Sequence, residues 1–355
     1  MIQNKTIKAI DAIQEAQKIA FAPFVFQAVI AMRKLKIMEL IFNQRKKGGI
    51  SAKDIAKELS ISKYGVKVLL EIAESSDVVY KTEENNYFLT TIGYFLTYNE
   101  TVNVNINFTQ EVCYKGLFHL TEAIKTGNPE GLKELGNWAT IYEGLSQLEP
   151  EQQKSWFEFD HHYSDDIFGD ALQEVYKLNP KKLYDIGGNT GKFAVKCCQN
   201  NDDVNVTIFD LPGQLSKALL NAETNGLSER INGFEIDWLS KNPKIPQGAD
   251  VIWMCQFLDC FSKKEILKVL NTCQAAMDAN TRLIIIETYT DRQRFENARF
   301  ALEATSLYFT VMANGNSKMY QASEIMKVVE KAGLEIEKDL PLGEYHSMFI
   351  CKKAV

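Results

Sequence analysis

The sequence predicts an α/β domain on a seven-stranded, mostly parallel sheet, preceded by an α-helical, winged-helix-like domain. Three observations carry that expectation. Apolar strand-like runs alternate with helical ones from residue 181 onward, the pattern of a parallel sheet covered by helices. Before residue 100, helix, short turn, helix and hairpin follow one another in winged-helix order. A length of 355 residues also exceeds what one ordinary core holds, so two domains are expected.

Taken in order, Ile7, Ile10, Ile13, Ala16 and Ile19 recur at near-helical spacing and predict an amphipathic helix over 1–20. A second helix is expected over about 24–42, broken by Lys46-Lys47-Gly48-Gly49. Ser51-Ala52-Lys53-Asp54 opens a third with a capping-box-like signature, and another follows over 63–75. Val78-Val79-Tyr80 and Tyr87-Phe88-Leu89 flank a polar turn and read as a hairpin. From about 100 to 178 the pattern is helical, with a break at Gly127-Asn128-Pro129. Strands are expected at 182–186, 204–209, 233–236, 250–255 and 282–288, and Ser262-Lys263-Lys264-Glu265 caps the helix after the fourth. Two last strands, 334–339 and 347–352, are separated by a Pro-Gly turn and form an antiparallel edge. The expected divisions are 1–100, 101–178 and 179–355.

A net charge of −6 argues against a generally basic nucleic-acid binder. No apolar run reaches the roughly 18 residues of a membrane span, so no membrane partner is expected. The opening MIQNKTIKAIDAIQEAQKIA carries acids and no apolar signal-peptide core, which points to a cytoplasmic protein. The seven cysteines are odd in number and contain no C-x-x-C pair, so they read as buried reduced thiols. No His/Asp cluster has ligand spacing, and no metal is expected.

The strongest local signal is Leu183-Tyr184-Asp185-Ile186-Gly187-Gly188-Asn189-Thr190-Gly191, an apolar strand running into a glycine-rich turn and a helix. Bare backbone there lets a ligand approach closely. The spacing is neither the dinucleotide G-x-G-x-x-G nor a P-loop, which disfavours a dehydrogenase. The second strand ends in Asp210-Leu211-Pro212, a carboxylate suited to a ribose diol. The third ends in Asp237-Trp238, an acid for an adenine amino group beside an indole for its ring. These residue types at successive strand tips favour nucleoside recognition over helix caps.

On these residues the chain resembles the plant-type small-molecule O-methyltransferase family, bacterial natural-product members included. The family's D-x-G-G-G-x-G corresponds to Asp185–Gly191, with Asn189 in place of the third glycine; its D-L-P is Asp210-Leu211-Pro212. Gly248-Ala249-Asp250-Val251-Ile252 matches its lead-in to the fourth strand. The resemblance implies a Rossmann-like class I methyltransferase domain behind a winged-helix dimerisation domain. It also implies S-adenosylmethionine (leaving as S-adenosylhomocysteine) at the strand ends, bound by Asp185, Gly187, Gly188, Gly191, Asp210, Leu211, Asp237, Trp238 and Cys255.

The reacting centre departs from that family, which carries L-H-D-W with the histidine as base. Here Leu258-Asp259-Cys260-Phe261 puts Asp259 in the histidine's place, while Glu287 ends the fifth strand where an orienting acid is expected. The second assisting acid falls near Met319, which cannot serve. An ordinary carboxylate, with a pKa of about 4, is a weak base toward a phenol, so Asp259 needs burial or Glu287 to raise its pKa. His162 is the alternative base. His161, Tyr163, Tyr142, Phe309 and Met312 are candidate lining for the acceptor pocket. The expected acceptor is a small hydroxyaryl metabolite or pigment precursor, methylated at oxygen or at a ring carbon ortho to the hydroxyl. A non-catalytic cofactor-binding protein or a winged-helix regulator is the alternative.

In residues 1–100, Lys and Arg only slightly outnumber Asp and Glu, and the second helix of the helix–turn–helix offers Lys63, Tyr64 and Lys67 before turning apolar. Base-reading helices present Arg, Asn or Gln with more phosphate contacts. The apolar stretch over 21–30 suggests an interface instead, so a homodimer is expected and nucleic acid is not.

Overall fold

The start of the chain forms one long helix where its sequence suggests two. In the computed structural model, which describes residues 7–354, α1 (Ala9–Lys34) runs unbroken through Pro23. The break comes at Leu35 and Lys36, where Lys36 takes a left-handed φ of 58° and α2 (Ile37–Gln44) begins. Turning there buries Ile37, Met38 and Ile41 completely against Met32. Each such side chain contributes roughly 1.5–3 kcal/mol, together more than the ~3 kcal/mol a helical proline costs. Burial, not proline, sets the boundary.

β1 (Ile50–Ser51), α3 (Ala52–Glu58) and α4 (Lys63–Ser75) follow, then β2 (Val79–Lys81), β3 (Asn86–Leu89) and α5 (Thr91–Tyr98). Ser51 and Ser62 cap α3 and α4 by accepting from the backbone N–H of Asp54 and Gly65. The three strands pair antiparallel in the order β1-β3-β2, completing a helix–turn–helix with a wing. Val66, Leu70 and Ala73 of α4 share a core with Val29, Ile55 and Tyr87. α6 (Glu100–Phe108) spans the junction between two compact units, Met1–Ile106 and Asn107–Val355.

The second unit opens with a helical layer, α7 (Leu120–Thr126), α8 (Ile141–Gly144), α9 (Pro150–Ser164) and α10 (Phe168–Tyr176). The α/β part runs β4 (Lys182–Ile186), α11 (Lys192–Asn200), β5 (Asn205–Asp210), α12 (Pro212–Thr224), β6 (Ile231–Glu235), β7 (Val251–Cys255), α13 (Lys263–Ala276), β8 (Arg282–Thr288), α14 (Glu296–Tyr308), α15 (Ala322–Lys331), β9 (Leu334–Leu342) and β10 (His346–Lys353). Its seven strands lie in the order β6-β5-β4-β7-β8-β10-β9. β4 to β8 are parallel, and β10 is antiparallel to both neighbours. This is the Rossmann-like class I methyltransferase sheet. One face buries Tyr184, Met254, Ile285 and Phe349 with residues of α13 and α15; the other buries Leu183, Trp253, Ile284 and Ile350 with residues of α10, α11 and α12.

Two strand boundaries differ from expectation by two residues or more. β6 begins at Ile231, not 233, because an edge strand with only Ile231 buried carries little apolar signal. β9 continues through Pro341 to Leu342, which an edge strand tolerates since the lost donor faces no partner. The order reverses around β4, whose neighbours β5 and β7 lead to opposite sides, and the crevice above their C-terminal ends is where open α/β sheets bind ligands. No helix among the described residues is long and apolar enough to cross a membrane.

Candidate functional site

The turn after β4 is shaped by left-handed backbone. Gly187, Asn189 and Gly191 have φ of 69°, 50° and 74°. A Cβ on Gly187 would lie 2.2 Å from the ring of Phe257, and one on Gly191 would lie 3.0 Å from Ala218, so both positions require glycine twice over. At Gly188 a Cβ would come within 2.8 Å of Asp185 Oδ2. Asparagine is among the few residues that tolerate the left-handed region, which explains how Asn189 replaces a glycine.

Two carboxyl groups sit behind that turn. Asp185 is 2% exposed and its Oδ2 has no hydrogen-bond partner. Burial, then the charge of Asp210, pushes its pKa up to about 8. Asp210 accepts from the backbone N–H of Asn189 at 2.8 Å and of Leu211 at 2.7 Å, and burial against those bonds leaves its pKa at about 6. Asp237 and Trp238 part company: the carboxylate is exposed and accepts from Leu239 N–H, while the indole is 5% exposed, inside the core near Phe257.

A second group of candidate residues lies beyond β7. Cys255 ends the strand, and Gln256 adopts φ 47° with its side chain 3.1 Å from His346 Nε2. Phe257 and Leu258 both donate their backbone N–H to Glu287 Oε1, at 3.0 and 2.8 Å. This holds the short turn carrying Asp259, which is 8% exposed and accepts from the Cys260 thiol. Burial raises Asp259 to about 7, helped by the charge of Asp160 and opposed by the bonds from Cys260. Glu287 is pushed well above the carboxylate range by burial and then by Asp259. The Tyr142 hydroxyl is buried beside Cys260 and is held protonated by burial first and the Cys260 charge second. A carboxyl poised near neutrality and fixed by a protonated neighbour can exchange a proton with a bound hydroxyl.

Of the consecutive histidines, His161 reaches the glycine turn, 3.4 Å from Thr190 Oγ1, with its Nδ1 3.3 Å from Asp165 Oδ1. His162 lies edge-on against Tyr163, whose ring also packs on Phe159. Phe309 and Met312 belong to the buried cluster of the helical layer, Met312 with no exposed surface and packed over Gly116. Tyr142 packs against the same cluster.

Asp160 was missed by reasoning from sequence. Its Oδ2 accepts from Asn189 Nδ2 at 2.8 Å. The signal was present: Phe157, Asp160, His161 and Ser164 recur at helical spacing and so share a face of α9. His346 was missed too, because nothing in the sequence says that β10 inserts beside β8. Among the described residues no group of three or more His, Cys, Asp or Glu is placed to hold a metal ion.

Comparison with known proteins adds the following. A family model described as an O-methyltransferase domain matches residues 118–335, and a Dimerisation2-like domain model matches 14–87. The chain is 24% identical over 344 residues to an L-tyrosine C(3)-methyltransferase of Streptomyces lavendulae, covering 94% of this chain and 91% of that one. It is 22% identical over 285 residues to a 3-amino-4-hydroxybenzoate 4-O-methyltransferase of Streptomyces cremeus, covering 79% and 74%. The solved structure of a mitomycin 7-O-methyltransferase superposes with a TM-score of 0.75 at 18% identity, covering 97% of this chain and 98% of that one.

Proposed function

The chain belongs to the O-methyltransferase family, and from that premise we propose that it transfers a methyl group from S-adenosylmethionine to a small hydroxyaryl metabolite. The observation that carries the reading is the pairing of a bare glycine turn over buried Asp185 and half-buried Asp210 with a further buried carboxyl, Asp259, at the neighbouring strand end. The residues fit the cofactor. Asp185 Oδ2 is buried without a donor, and the space a Cβ would fill at Gly188 opens directly over it. Asp185, Gly187, Gly188, Gly191, Asp210, Leu211, Asp237, Trp238 and Cys255 are the residues assigned to hold it. When bound, the sulfonium supplies an electrophilic methyl group.

Asp259 takes the proton of the acceptor hydroxyl, its raised pKa making it a stronger base than an exposed carboxylate. Glu287, protonated, acts through backbone: it fixes the two amides that set the position of Asp259. Tyr142, His161, His162, Tyr163, Phe309 and Met312 are assigned to the walls and approaches of the acceptor cavity. Methylation at a ring carbon ortho to the hydroxyl is favoured over the ether by the aspartate itself: it can hold and partly deprotonate a hydroxyl without releasing a full phenolate. The near full-length likeness to a tyrosine C(3)-methyltransferase points the same way.

The first unit is assigned to pairing with a second copy. Along α1, Ile10, Ile13, Ile19, Phe21 and Phe24 are 53–77% exposed, apolar surface that one copy leaves in water. It lies largely within the stretch matched by the dimerisation model. The protein is assigned to the cytoplasm. The test of the activity is incubation with methyl-labelled S-adenosylmethionine and a panel of hydroxyaryl acids and amines, with products read by mass spectrometry and NMR. A methylated ring carbon is the expected result; a methyl ether refutes the carbon reading, and no labelled product from any acceptor refutes the whole.

A further inference from the structure

Helix α9 brings a carboxylate, Asp160, to the glycine turn. Asn189 donates its backbone N–H to Asp210 and its side-chain Nδ2 to Asp160, both at 2.8 Å. One residue therefore tethers two carboxylates. Behind them Asp185, 2% exposed, has an oxygen without a donor, and the Asn189 amide oxygen is buried in the same condition. Such groups cost free energy unless a ligand completes them.

Asp160 lies between the two halves of the crevice. Its charge raises Asp210 on the nucleoside side and Asp259 on the reacting side. Its nearest cationic groups are shared with Asp165. His161 Nδ1 is 3.9 Å away but sits closer to Asp165, at 3.3 Å, and Lys192 is bonded to Asp165 at 2.6 Å. Burial accordingly raises the pKa of Asp160.

We infer that Asp160, held by Asn189, faces the positively charged sulfur end of the cofactor and makes this chain bind the charged methyl donor in preference to the neutral product. The inference rests on the methyltransferase reading. In the transfer, the S–CH3 bond breaks with its electron pair left on sulfur; the acceptor gains the methyl and gives up a proton. Sulfur thereby passes from cation to neutral thioether, and Asp160 loses its countercharge. The same carboxylate that draws the donor in favours release of the spent product.

Calorimetry on the full chain tests this with S-adenosylmethionine and S-adenosylhomocysteine as the two probes. Asp160→Asn keeps the shape and an acceptor for Asn189. It is expected to weaken the methionine form by about tenfold, the worth of one charged contact, while leaving the homocysteine form within about twofold. Asn189→Gly removes the tether but keeps the charge, and is expected to weaken both ligands alike. Equal loss for both ligands in Asp160→Asn, or no loss in either, overturns the inference. Should that variant fail to fold, Asp160→Glu serves, with the preference for the charged form expected to persist; an unchanged preference in Asp160→Ser overturns it equally. Failure of the unaltered protein to bind either probe overturns the methyltransferase reading itself.

Discussion

The two halves of the crevice are made by different means. On the β4–β5 side, recognition is built from backbone: three left-handed residues, a missing Cβ above Asp185, and a carboxylate tied to two amides. On the β7–β8 side it is built from side chains that meet only after folding, with Glu287 reaching across to hold the turn of Asp259. Backbone recognition tolerates little substitution but needs no particular ionisation. Side-chain recognition allows the chemistry to change, and here a histidine position holds aspartate, provided the surroundings move the pKa.

The largest expected effect falls on the side-chain half. Asp259→Asn should lower kcat by about 10²–10⁴-fold, the worth of a positioned acid–base group, with cofactor affinity measured by calorimetry unchanged. In the unaltered enzyme kcat/KM should rise with pH through about 7, as Asp259 loses its proton and becomes the base. A variant at full turnover with the same acid limb removes Asp259 from the reaction.

Next comes its support. Glu287→Ala leaves two backbone N–H groups without their acceptor, each worth about 1–3 kcal/mol when buried. Glu287→Gln keeps an oxygen there, so urea melts and kcat should stay near those of the parent. Equal damage from both substitutions would mean that the charge of Glu287, not its oxygen, matters.

The backbone half responds in stability and binding. Gly187→Ala places a methyl against the Phe257 ring at a left-handed φ, for a cost of about 1–3 kcal/mol. Thermal melts should show the loss, and cofactor titration a fall of about tenfold. The last test reads stability against pH and concerns Asp185. Its folded pKa is about 8, against about 4 unfolded. Between these values the folded state keeps a proton that the unfolded state sheds, so cofactor-free protein should lose stability as pH rises through that window. Asp185→Asn should flatten this slope by a few degrees of Tm; an unaltered slope would show that Asp185 titrates normally.

The same division decides what could be read beforehand. Glycines, the Asp-Leu-Pro strand end and the Ser262 capping box mark themselves locally, and β4 and β8 fall on their expected residues. The division of the first 42 residues into helices over 1–20 and 24–42 misplaced the break, because burial that only the fold reveals sets it at Leu35 and Lys36. Asp237-Trp238 reads in sequence as one joint contact, while the different burial of its two side chains is set by packing that only the fold supplies. Helical spacing puts Asp160 on one face with His161, but its partner Asn189 lies 29 positions away, and His346 meets Gln256 across 90 positions, separations that no spacing rule spans.

β10 is the last described strand to be synthesised, yet it occupies an interior place between β8 and β9. Until residues 346–353 have left the ribosome, β8, with Glu287 near its end, is an open edge whose hydrogen-bonding groups face no neighbour. A nascent chain can therefore complete the glycine turn after β4 well before the surroundings of Glu287, and during that interval the raw edge is available for pairing with another copy. Slow translation of this final stretch would prolong the exposure, and aggregation in the cell should track the codons that encode it.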